Sequence, residues 1–135
     1  MRRYDPCVAP SPEVWLALDE DERIELIRRY HLRRRVVLPS LEAHAATHAI
    51  VENQLAEGLP SAVNALARLV VAGLDRHDAV HAIGCVLMEH LWNLSNKARP
   101  EGDLHAPYFA ALDAFTIDSW RKLAEAVSEE PDDKS

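Results

Sequence analysis

Glycine and proline mark the ends of helix-periodic segments all along this chain, and that punctuation restricts its fold more than any other feature of the sequence. Ser11-Pro12 supplies an N-cap followed by a first-turn proline, with Val14, Trp15 and Leu18 at helical spacing behind it. Asp19 with Glu22 three residues on comes close to a capping box, so a second helix is read from about 20 to 34 with Ile24, Ile27 and Tyr30 inward. Val36-Val37-Leu38-Pro39 breaks the pattern. Ser40 caps a third helix running to Glu57, and Gly58 suits the left-handed position just past its end. Pro60-Ser61 opens a fourth helix that Gly73 closes, and Asp75 caps a fifth reaching as far as Lys97. Beyond Arg99-Pro100-Glu101-Gly102 a helical pattern runs from Pro107 to about Val127, with Thr116 or Asp118 as the point that divides it.

No segment sustains a two-residue alternation, and Val36-Val37 is too short to count as a strand. The expected fold is therefore all-α: a compact bundle of six or seven helices joined by short connections. A chain of 135 residues, 48% of them hydrophobic, suffices for one domain with a continuous core. That domain is expected over residues 1–128, including a helical C-terminal extension over 104–128, and residues 129–135 read as a disordered acidic tail.

Charge narrows the partners. A formal net charge of −7 argues against nucleic acid and anionic membrane, since both repel such a chain at long range. Arg28, Arg29, Arg33, Arg34 and Arg35 close a helix that begins acidic, which complements its dipole. No apolar run approaches the roughly 20 residues of a membrane span, and the start lacks the apolar stretch of a signal peptide, so a cytoplasmic location is expected. Cys7 and Cys85 form no Cys-x-x-Cys pair, so neither a thiolate zinc site, a redox motif nor a disulfide is indicated.

The chemistry concentrates in histidine. His44-Ala45-Ala46-Thr47-His48 lies in the third helix, with Glu52 one turn further, and at about 100° per residue the three fall within roughly an 80° sector shared with Leu41, Val51 and Leu55. His77-Asp78-Ala79-Val80-His81 repeats the motif in the fifth helix, in a sector that takes in Gly84, Cys85, Met88 and Trp92. Both pairs are followed by Ala-Ile, and 77 against 44 and 81 against 48 keep one offset of 33 residues, an internal two-fold pseudo-repeat. Imidazoles one turn apart can converge on one ion at about 2.0–2.1 Å each. Facing pairs would place His44, His48, His77 and His81 around a divalent metal, with Glu52 as a carboxylate ligand or as a hydrogen-bond acceptor behind one. Such nitrogen and oxygen donors suit zinc, iron, manganese or nickel.

Two other readings compete. In one, the chain is a non-catalytic structural or interaction module whose buried, neutral histidines donate to carbonyls or to Glu52, Asn53 or Gln54. In the other, His77-Asp78 followed by Asp103, Asp113 and Asp118 resembles the HD-type metal-dependent phosphohydrolases, although their Leu-His-Asp-Ile-Gly context is missing. His77-Asp78-Ala79-Val80-His81 also departs from the His-Glu-x-x-His of zinc proteases by placing Asp where they carry Glu. No Gly-x-Ser-x-Gly or glycine-rich phosphate loop is present, and no catalytic residue is assigned. His31, beside the arginines, His90, near a helix end, and His105, in a loop, are expected in surface or capping roles.

Several segments together are similar to a family of small bacterial proteins defined only as a domain of unknown function. They are Tyr4-Asp5-Pro6, Trp15-Leu16-Ala17-Leu18-Asp19-Glu20, Tyr30-His31, His44-x-x-x-His48-x-x-Val51-Glu52-Asn53-Gln54 and Gly73-Leu74-Asp75-Arg76-His77-Asp78-Ala79-Val80-His81-Ala82-Ile83-Gly84. The resemblance spans about residues 4–94. It implies a bacterial source and a largely helical fold, and it brings no activity to transfer. The segment beyond Lys97 exceeds it, as an addition that packs on the core or makes a homo-oligomer contact.

Overall fold

The computed structural model describes residues 1–33 and 41–129. Among them are seven helices and no strand: α1 (Pro12–Ala17), α2 (Glu20–Arg33), α3 (Leu41–Ala56), α4 (Pro60–Val71), α5 (Arg76–Asn96), α6 (Ala106–Ala114) and α7 (Ile117–Glu129). No helix among the described residues is long and apolar enough to cross a membrane. The break at Val36-Val37-Leu38-Pro39, the Ser40 cap, Arg34 and Arg35, and the tail from residue 130 lie outside the described residues; Glu129 itself ends α7.

The helix ends follow the local chemistry closely. Asp19 Oδ1 accepts from the Glu22 amide and Asp75 Oδ1 from the Asp78 amide, each at 2.8 Å, so side chains satisfy donors that the first turn leaves open. Ser11 makes no such bond, and α1 starts on Pro12 alone. Gly58 at φ 73° and Gly73 at φ 116° adopt a conformation that a side chain disfavours. Each lets the next amide reach back, Leu59 N–H to the Gln54 carbonyl at 2.9 Å and Leu74 N–H to the Leu69 carbonyl at 3.1 Å.

Helix α3 lies at the centre. It packs on α1, α2, α4 and α5, and a helix enclosed on most sides needs apolar residues around much of its circumference. Ala45 and Ala49 meet Tyr4, Trp15, Ile27 and Tyr30 on one side, while Val51 joins the core built from Leu69, Val80, Ile83 and Leu112. Each fully buried Leu, Ile or Val contributes about 1.5–3 kcal/mol of transfer free energy. Helix α6 packs on α4 and α5, so this part of the extension covers the core. Its last carbonyls are held by the Arg68 guanidinium, with bonds of 2.7 Å to Leu112 and of 2.8 and 3.0 Å to Phe115.

The two helices that carry the His-x-x-x-His motifs pack on each other in opposite directions: Glu52 meets Arg76, His48 meets His81 and Thr47 meets Met88. A Cβ built on Gly84 would stand 3.3 Å from Thr47 Cγ2, so the missing side chain lets α3 and α5 approach closely. Cys85, Met88 and Trp92, expected on the buried sector, are exposed.

Candidate metal centre

Three helices deliver imidazoles to one place. His44 and His48 come from successive turns of α3, His81 from α5, and His31 from the end of α2. One nitrogen of each can be chosen so that all four lie within 4.8 Å of one another. Ring centroids stand 4.5 Å apart for His31 and His44, 4.7 Å for His44 and His81, and 4.5 Å for His48 and His81. His31 and His48 are each 2% exposed, while His44 and His81 are half-buried.

The structure thus brings together three of the four expected imidazoles and adds one. His77 adjoins the group, with its ring 4.6 Å from His81 and 5.6 Å from Tyr30, but stands outside the convergent set. His31 is buried in the group rather than in the surface or capping role that its arginine neighbours in sequence suggest. Helical period carries the signal that finds it: residue 31 follows Ile24 by seven and Ile27 by four, which puts it on the buried face of α2. His90 is buried too. It stacks on Tyr108 and contacts His105 at 3.2 Å, a separate pair joining α5 to the start of α6.

Glu52 has other partners. Its carboxylate, 1% exposed, takes bonds from Arg76 at 2.7 and 2.8 Å and from the Tyr4 hydroxyl, and Arg76 also bonds the Pro6 carbonyl at 2.9 Å. The next two residues are engaged as well. Asn53 Oδ1 accepts from the Trp15 indole at 2.9 Å and from Arg23 at 3.1 Å, and Gln54 Oε1 accepts from the Tyr108 hydroxyl at 2.7 Å. The side chains expected to satisfy core histidines are therefore committed elsewhere.

The imidazoles are left with open lone pairs. His31 Nδ1 lies 2.8 Å from the Ile27 carbonyl. A carbonyl can only accept, so Nδ1 carries the proton and Nε2 is the basic nitrogen. Ligating histidines are commonly oriented by this kind of bond. His31 Nε2, His44 Nε2, His81 Nε2 and both nitrogens of His48 are buried without a hydrogen-bond partner among the described residues. Buried polar atoms are satisfied in the great majority of cases, so this concentration in one cluster requires a cause.

Electrostatics keeps His44, His48 and His81 neutral. Burial first, then repulsion between the rings, lowers the His48 pKa to about 2 and those of His44 and His81 to about 4. Neutral imidazole is the form that donates to a metal. The set contains no carboxylate. Asp78, which a phosphohydrolase of the HD type would need at the ion, is exposed in the first turn of α5, where its amide bonds Asp75. An open cleft of about 400 Å³ between α3 and α5 is lined in part by His44, His48 and His81. Comparison with protein-family models, with curated proteins and with solved structures finds no match for this chain.

Proposed function

We propose that this protein binds one divalent transition-metal ion through His31, His44, His48 and His81. The observation that carries the reading is the convergence of four imidazoles, one nitrogen of each within 4.8 Å of the others, in a group whose four rings all hold a buried nitrogen with no hydrogen-bond partner among the described residues. Four nitrogens at about 2.0–2.1 Å from a tetrahedral ion are separated by about 3.3–3.4 Å, so small rotations of the imidazoles close the set. A donor set of imidazoles suits zinc, iron or nickel, and the commitment of Glu52 to Arg76 and Tyr4 weakens the case for manganese. The ion ties α2, α3 and α5 together at a point where apolar packing is interrupted.

Elemental analysis of protein purified without an affinity tag tests this. About one equivalent of a transition metal is expected, or a thermal shift on adding zinc, iron or nickel to protein stripped by a chelator. A ligand present at 100 times its Kd stabilises the folded state by about 2.7 kcal/mol, well within reach of a melting experiment. Less than about a tenth of an equivalent, together with no shift, contradicts the proposal.

A further inference from the structure

The metal reading leaves a charge unbalanced. Four neutral imidazoles around a dication carry a net charge of two, and the buried carboxylate on the same helix, Glu52, is already neutralised by Arg76. Uncompensated charge at a partly buried site is costly, and an anion arriving from solution removes that cost.

The cleft supplies the route. His44, His48 and His81 are among the residues that line it, whereas His31 approaches the group from α2 and is not among them. An ion held by these residues would present one face to the cleft. Along the walls, among the described residues, Ala43, Gly84 and Met88 offer no charge, burial raises the pKa of the Cys85 thiol and keeps it neutral, and the Thr47 hydroxyl is engaged with the Ala43 carbonyl at 2.8 Å and near Met88 Sδ at 3.2 Å. A volume of about 400 Å³ lies within the range of small-molecule sites. Walls without charge that lead to a cation select a ligand with an anionic head and an apolar body.

Resting on the metal reading above, we infer that the cleft is a binding site for a small organic anion, a monocarboxylate with a short hydrocarbon tail. The carboxylate adds on the cleft side as a fifth ligand, expanding the four-imidazole set, and the tail lies against Ala43, Gly84 and Met88.

Cobalt(II) is the probe, because its visible spectrum reports coordination. The full chain is loaded with cobalt and titrated with acetate, butyrate and hexanoate, with 1-hexanol as the uncharged control. The carboxylates are expected to change the spectrum. Hexanoate should bind at least about tenfold more tightly than acetate, since each buried methylene is worth roughly a factor of four. Hexanol should leave the spectrum unchanged. In Ala43→Phe, where the ring fills the cleft, the dependence on chain length is expected to vanish. A cobalt spectrum insensitive to every carboxylate overturns the inference and leaves the metal site standing. Hexanoate binding no more tightly than acetate overturns the place given to the tail. Failure to take up cobalt overturns both readings.

Discussion

The proton on His31 decides where its lone pair points. Because Nδ1 donates to the Ile27 carbonyl, Nε2 carries the lone pair, on a ring held 4.5 Å from that of His44 and 5.3 Å from that of His48. Replacing the partners of ligands commonly costs ten- to a hundredfold in metal affinity, and loss of a ligand costs at least as much. His31→Ala is therefore expected to weaken metal binding by at least about tenfold in competition with a chromophoric chelator, and His77→Ala by less; the reverse order would remove His31 from the donor set. The lowered imidazole pKa values also predict a pH dependence for the metal-free protein. Above pH 6.5 these rings are neutral both folded and unfolded, so their contribution is complete. Below it the unfolded chain takes up protons that the folded chain refuses, and stability falls until His44 and His81 protonate near pH 4 and continues to fall toward about 2 for His48. Melting temperatures measured between pH 7.5 and 4 should decline less steeply in His48→Gln than in the parent. Equal slopes would contradict the assignment.

Each helix was readable to the extent that its own sequence determines its ends. Asp19, Gly58, Gly73 and Asp75 act within four or five residues of themselves, and the helices they delimit lie where the sequence puts them. Partners remote in sequence were not readable. Glu52 lies on the predicted sector of α3, but its pairing with Arg76 and Tyr4 depends on how α5 and the N-terminal segment arrive, and no spacing within α3 encodes that. Met88 and Trp92 continue the helical pattern of α5 yet are exposed, Met88 beside Thr47 of α3, and periodicity within α5 alone could not show this. Two partly buried cations test these long-range contacts. Arg68→Met removes three bonds to the end of α6 and is expected to lower stability by about 2 kcal/mol in urea unfolding, with earlier proteolysis at α6. Arg76→Met strands the Glu52 carboxylate in the core and should cost more, about 3–5 kcal/mol. If the two variants proved equally mild, the geometry of these ion and carbonyl contacts would not be what stabilises the bundle.

Across the whole molecule, one turn of α3 joins the bundle together. Glu52 holds the N-terminal segment and α5, Asn53 holds α1 and α2, and Gln54 holds α6. One and two turns earlier on α3 stand His48 and His44, and two of the elements held by these polar contacts, α2 and α5, carry the other two imidazoles. The bundle thereby fixes α2, α3 and α5 at a spacing that four ring nitrogens can use. The central claim is that these four imidazoles bind a metal ion. X-ray absorption at the zinc edge of the loaded protein tests it most directly. The account predicts a first shell of nitrogen at about 2.0–2.1 Å with the outer-shell scattering of several imidazoles; a sulfur shell near about 2.3 Å, or light-atom donors without imidazole scattering, would contradict it.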